Sequence, residues 1–114
     1  MITKSKNFII GSEVTVENLG EGVSRQILGY DGQLMMVKVS FEQGSIGSVH
    51  EHFHSQCTYV ISGTFEVRVK GEKKILVAGD GFYAEPDAEH GVVCIKKGIL
   101  LDTFSPIRLD FLKE

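Results

Sequence analysis

The segment Thr64 to Lys70, TFEVRVK, puts Phe65, Val67 and Val69 on one side of an extended chain and Thr64, Glu66, Arg68 and Lys70 on the other. A period of two is the signature of a strand with one buried face, and it excludes an amphipathic helix over the same residues. The rest of the chain has the same grain, with short apolar runs cut by glycine. Gly71-Glu72 turns the chain, Lys73 to Val77 returns, and Gly79-Asp80-Gly81 breaks it again. Phe82 to Glu85 then leads into a polar corner at Pro86-Asp87-Ala88-Glu89. Upstream, Val23 to Leu28 and Leu34 to Glu42 are strand candidates around Gly29-Tyr30-Asp31-Gly32. Downstream, His90 to Ile95 and Ile99 to Ser105 are expected to form a hairpin about Lys96-Lys97-Gly98. Ile107 to Lys113 offers one or two helical turns at best. Many short strands, with 13 glycines against 2 prolines, predict an all-β chain arranged as an antiparallel sandwich or closed barrel.

At 114 residues there is enough chain for one core and too little for two, so residues 1–114 are expected to form a single domain. Hydrophobic residues at 42% and charged residues at 24% fit a globular protein. A formal net charge of −3, with Lys and Arg scattered, offers no basic field for nucleic acid. The only apolar run near the start is Phe8-Ile9-Ile10, far shorter than a signal-peptide core, and no stretch approaches the length of a membrane span. A cytoplasmic location without membrane attachment is therefore expected. Cys57 and Cys94 are too few for a disulfide framework; free thiols in a reducing compartment are the expectation, and a single bridge between them stays open. A small chain with a long N-terminal strand region leaves edges to cover, so a homodimer is expected.

All 4 histidines fall in two places: His50, His52 and His54 within HEHFHSQ, and His90 after the polar corner. On a strand, residues two apart share a face, so His50, His52, His54 and Gln56 would project to one side. An H-x-H pair can then give two imidazoles to one ion, Gln56 can add a carbonyl oxygen, and His90 can close the set from another strand. The alternative is an exposed polar strand whose histidines face water, with a locally bonded His90. His54 is either a neighbour that steers Gln56 or a substrate, or a residue of the pocket rim. Three imidazoles and an amide are neutral, so the ion would keep its full charge and attract an anionic ligand. Such ligation accepts Zn, Ni, Co, Fe or Mn alike, and the sequence does not choose among them.

The tail Leu100 to Phe111, LLDTFSPIRLDF, carries a second cluster. Asp102 lies in an otherwise apolar strand, where a carboxylate needs a partner or a task. It either caps the Ser105-Pro106 turn or pairs with an arginine, or it acts as an acid/base group beside the metal pocket. Arg108 could clamp a substrate carboxylate in bidentate fashion or simply pair with Asp110. Phe104 shares the face of Asp102 and either floors the pocket or packs in the core.

Gly44, His50-x-His52, Gln56 and Gly63 resemble the first cupin motif, over 44–63, with Gln56 where many cupins carry Glu. Gly79-Asp80, Glu85, Asp87, His90 and Cys94 resemble the second, over 79–94. Glu85 stands where proline is usual, Asp87 where glycine is usual, and Cys94 where asparagine is common. With the C-terminal strand and tail at 99–114, the chain resembles the pectin-degradation cupins called KdgF over almost its whole length, in residues 22–42, 50–63, 78–93 and 100–112, although Ser55 stands where that family often has Glu. The resemblance implies a jelly-roll β-barrel cupin that opens 4,5-unsaturated monouronates to linear keto sugars. It further implies one divalent metal on His50, His52, Gln56 and His90, Asp102 as the acid/base residue, and Phe104 and Arg108 as contacts to an anionic sugar. Cupins also include dioxygenases, lyases and sugar-binding domains without catalysis, so fold alone does not fix the activity.

Overall fold

Two long strands, β5 (Ser55–Val69) and β8 (His90–Ser105), pair antiparallel from Ser55↔Ser105 to Val69↔His90 in the computed structural model, which describes residues 3–112. Around them lie β1 (Glu17–Gly20), β2 (Val23–Tyr30), β3 (Met35–Phe41), β4 (Ile46–His50), β6 (Glu72–Val77) and β7 (Gly81–Ala84). The strand order is β1-β2-β3-β8-β5-β6, with β4 on the His90 end of β8 and β7 on the Ser55 end of β5. The first half of β5 and the second half of β8 thus join β3, β2, β1 and β7, while their other halves join β4 and β6. The chain is all-β and antiparallel, as the glycine-cut strand pattern predicts, and its arrangement is the jelly roll that the resemblance implies.

The change from one half to the other occurs where the register shifts between Val60 and Phe65. There Gly63 has φ +86°, and a Cβ on it would stand 2.5 Å from the Gly98 Cα and 2.6 Å from the Lys97 carbonyl oxygen. Two backbones this close tolerate no side chain at either position. Gly98 is therefore the crossing point of one continuous strand and not the turn of a hairpin, which corrects the expectation for Lys96-Lys97-Gly98. The sequence signal is real, but a glycine inside a strand marks a bend as readily as a reversal.

The core follows the period of two. β3 alternates without a break, with Met35, Val37, Val39 and Phe41 buried, and Phe65 and Val67 of β5 face them together with Val92, Cys94, Leu100 and Phe104 of β8. Phe65 meets Phe41 edge to face at 5.3 Å. Both cysteines are free thiols, Cys57 exposed and Cys94 buried, and burial pushes the Cys94 thiol up.

The expected long N-terminal strand region is absent among the described residues. Residues 3–16 contain only the 3-10 turn Gly11–Glu13, and β1 is four residues long. The segment is tied down by polar bonds: the Ser5 N–H donates to the Tyr30 carbonyl at 2.8 Å, and the Gln26 amide donates to the carbonyls of Gly11 and Val14 at 3.1 Å. The helical turn expected over Ile107 to Lys113 is the 3-10 turn Leu109–Phe111; Lys113 lies outside the described residues, as do Met1, Ile2 and Glu114. No helix among the described residues is long and apolar enough to cross a membrane.

Candidate metal centre

The histidine cluster is not on one strand. His50 is the last residue of β4, His52 and His54 lie in the connection that follows, and Gln56 is the second residue of β5. The shared-face argument from HEHFHSQ therefore fails as stated; the chain folds over between two strands and brings the side chains together by that route. His90 opens β8 directly opposite His50. One ring nitrogen from each of His50, His52 and His90 lies within 4.8 Å of those of the other two, a group that could hold a metal ion.

Each of these imidazoles is oriented by a backbone carbonyl. His50 Nδ1 lies 2.7 Å from the Ser48 oxygen, His52 Nδ1 3.1 Å from that of His54, and His90 Nδ1 2.9 Å from that of Ala88. A carbonyl only accepts, so each Nδ1 carries the proton, and each neutral ring presents a bare Nε2. Desolvation holds His52 and His90 below the ordinary imidazole range, which favours that neutral form. The turn over 85–89 braces the site: Asp87, at φ +67°, donates its N–H to the His52 carbonyl at 2.7 Å, while Ala88 holds His90. Asp tolerates that left-handed conformation where glycine is usual.

Gln56 completes the arrangement. Its Oε1 lies 3.0 Å from both His52 Nε2 and His90 Nε2. Its Nε2 donates the other way, to Thr58 Oγ1 at 2.9 Å and more weakly to Asp102 Oδ1 at 3.5 Å. Thr58 in turn donates its hydroxyl to Asp102 Oδ1 at 2.7 Å. The chain Asp102–Thr58–Gln56 thus fixes the amide with its oxygen toward the histidines. Bare imidazole nitrogens and a carbonyl oxygen converging without a proton between them repel one another, and a cation relieves that repulsion. The donor set fits a divalent ion.

Asp102 neither caps the Ser105-Pro106 turn nor pairs with an arginine. Its carboxyl is turned inward onto Thr58, and burial raises its pKa to about 6 against the opposing hydrogen bond from Thr58 and the pull of His50 and Arg108. Thr58 is not among the residues that the sequence singles out, although it lies two residues beyond Gln56 on the same strand face, where the period of two points to it.

The contacts of Arg108 show the second of its two readings, the pair with Asp110. It pairs with Asp110 in bidentate fashion, Nε to Oδ1 at 3.1 Å and Nη2 to Oδ2 at 2.9 Å. Yet its side chain is only 13% exposed, and its charge lowers the pKa values of His52, His54, His90 and Asp102. Its guanidinium stands 5.0 Å from the Phe104 ring centroid and 4.3 Å from that of Phe111. Phe104 is buried in the core, and its ring stands edge-on to that of His52 at 5.8 Å between centroids. Arg25, on β2, stacks on Phe111 at 3.9 Å and pairs with Glu17. Arg25 and Phe111 carry no sequence signal of a site; only the fold brings them here.

His54 is buried, stacked on Phe53 at 4.0 Å, and lies 6.5 Å from Phe104. Its Nδ1 is buried without a hydrogen-bond partner.

The cupin domain family matches residues 37–103, the span that holds every histidine of the site. The chain is 46% identical over 109 residues to the pectin degradation protein KdgF of Dickeya dadantii, covering 94% of this chain and 99% of that one. Among solved structures, an RmlC-like cupin from Shewanella frigidimarina superposes with a TM-score of 0.95 at 47% identity, over 96% of this chain and 99% of the other. KdgF from a Halomonas species superposes with a TM-score of 0.90 at 37% identity, over 94% and 99%. Family, near-complete coverage and close superposition agree with the site geometry, and this chain belongs to the cupin family, in its KdgF group.

Proposed function

We propose that this protein opens 4,5-unsaturated monouronates, the products of pectate and alginate lyases, to linear keto sugars, using one divalent metal on His50, His52, Gln56 and His90. The observation that carries the reading is the inward Asp102 carboxyl, with a pKa raised to about 6, at the end of the relay through Thr58 to Gln56. The relatives named KdgF support it.

The reaction is an isomerisation, so no atom is gained or lost. The hemiacetal hydroxyl at C1 gives up its proton, the C1–ring-oxygen bond breaks as the aldehyde forms, and the electron pair passes to the former ring oxygen as an enolate. Protonation of the enolate at C4 then gives the ketone. Asp102 takes and returns the proton; a carboxyl with a pKa near 6 is populated in both states near neutrality. The bound ion supplies Lewis acidity toward substrate oxygens. Arg108 receives the substrate carboxylate, Phe104 walls the pocket behind the ring, and His54 lies beside that wall. No nucleotide or flavin enters the balance.

The test is incubation of metal-loaded protein with monouronates freshly made by pectate or alginate lyase, following loss of the enol-ether ultraviolet absorbance. Acceleration over the spontaneous rate is expected; an unchanged rate overturns the reading. The homodimer belongs to the same proposal, and a monomer mass by light scattering at micromolar concentration removes it.

A further inference from the structure

The bidentate partner of Arg108 is an odd one. Asp110 is 57% exposed, while the Arg108 side chain it holds is 13% exposed and its guanidinium lies 5.0 Å from the centroid of Phe104, the ring beside His52. The two residues are separated only by Leu109, within a 3-10 turn that has no side-chain cap at its N-terminal end. The contact has the fork geometry by which arginine receives any carboxylate, and Arg108 holds the Asp110 carboxyl below its usual range. The turn is also pinned from within: Phe111 lies against Arg25, Arg108 and Phe104, the last at 5.7 Å and perpendicular.

These contacts separate two functions of one short segment. Phe111 anchors the turn and keeps the Arg108 guanidinium over the aromatic wall. Asp110 occupies the face of the fork that solvent can reach. An incoming carboxylate of the same shape meets a site already ordered and already filled.

We propose that Asp110 is an internal stand-in for the substrate carboxylate, which it yields when a uronate enters the Arg108 fork. The inference rests on the reading of Arg108 as the carboxylate contact. Asp110 keeps the guanidinium oriented and its charge balanced while the pocket is empty, and the exchange of one carboxylate for another selects acidic sugars over neutral ones. The cost of exchange is small because the outgoing carboxylate is already half in water.

The experiment measures binding of galacturonate, with galactose as the neutral control, by calorimetry on metal-loaded protein. Asp110→Asn keeps the shape of the side chain and removes its charge. Galacturonate is expected to bind about two- to fivefold more tightly to this variant, the size of a partly exposed ion pair, with galactose unmoved. In an Arg108→Ala background the same substitution is expected to change nothing, which a merely structural role would not predict. Weaker or equal galacturonate binding in Asp110→Asn, with the melting temperature preserved, overturns the inference and leaves wild-type turnover of monouronates untouched. Equal galacturonate binding by wild type and Arg108→Ala instead overturns the carboxylate contact itself.

Discussion

Gln56 Oε1 lies 3.0 Å from His90 Nε2, and neither atom carries a proton while the Ala88 carbonyl holds the one on Nδ1. The same amide oxygen meets His52 in the same way. Close to one divalent ion per chain is therefore expected by elemental analysis, and His52→Ala is expected to lose it. Chelation should lower the melting temperature by several degrees, because a ligand held only by the folded state stabilises it by about 2.7 kcal/mol at a hundredfold excess over Kd. Undiminished metal in His52→Ala counts against the site.

The relay to Asp102 makes a separate expectation. Asp102→Asn retains size and hydrogen-bonding capacity toward Thr58 but removes the ionisable group, so metal content and melting temperature should hold while turnover falls by about 10² to 10⁴. Loss of metal or of fold in this variant assigns Asp102 to structure. Full turnover passes the proton to another group, with the orphaned His54 Nδ1 the next candidate.

What is legible in the sequence follows from periodicity. Phe65, Val67 and β3 alternate, and the strands and core lie where the alternation puts them. The candidate ligands are legible because an H-x-H pair with a third imidazole and an amide close by suits shared coordination far better than it suits a strand facing water. The route by which they meet is not legible: H-x-H reads equally well as strand or as connection, and it takes the fold, with β4 ending at His50 and Asp87 bonded to the His52 carbonyl, to show that the chain has left β4. Gly98 reads as a turn until its approach to Gly63 is known. The Arg25–Phe111–Arg108 stack depends wholly on tertiary folding, since Arg25 and Phe111 stand 83 and 3 residues from Arg108 with no shared period.

If Arg108 is the proposed carboxylate contact, Arg108→Ala removes a clamp acting in both ground and transition states, so KM should rise at least as clearly as kcat falls. The result to be compared is the Asp102→Asn profile, in which kcat carries the loss. An Arg108→Ala enzyme with unchanged KM would remove the carboxylate contact.

The pair with Asp110 has a sign in pH. Arg108 holds the Asp110 carboxyl below its usual range, so its contribution is fully present above the ordinary carboxylate pKa of about 3.9 and is lost as pH falls through the lowered value. A carbon-detected NMR titration should show the Asp110 midpoint moving up toward the ordinary value in Arg108→Ala. A midpoint unmoved by that substitution would mean that the contact does not persist in solution.

The crossing of β5 and β8 gives the sharpest stability contrast, between two glycines with nearly the same positive φ. Gly63 has φ +86° and Gly71 φ +83°, so alanine at either carries the left-handed strain of about 1–2 kcal/mol. Around Gly71 nothing lies within 4 Å, and Gly71→Ala should cost only that strain. At Gly63 the new Cβ would meet Gly98 Cα and two carbonyl oxygens at 2.5–2.7 Å, all of them backbone atoms that a side-chain rotation cannot relieve. The two strands must separate there, which loosens the pairing on both sides and with it the placement of Gln56 and His90 at the far ends of the same strands. Gly63→Ala should therefore lose more than about 3 kcal/mol in urea unfolding, beyond the usual run of point mutants. Equal losses at the two positions would show that the close crossing does not constrain the fold.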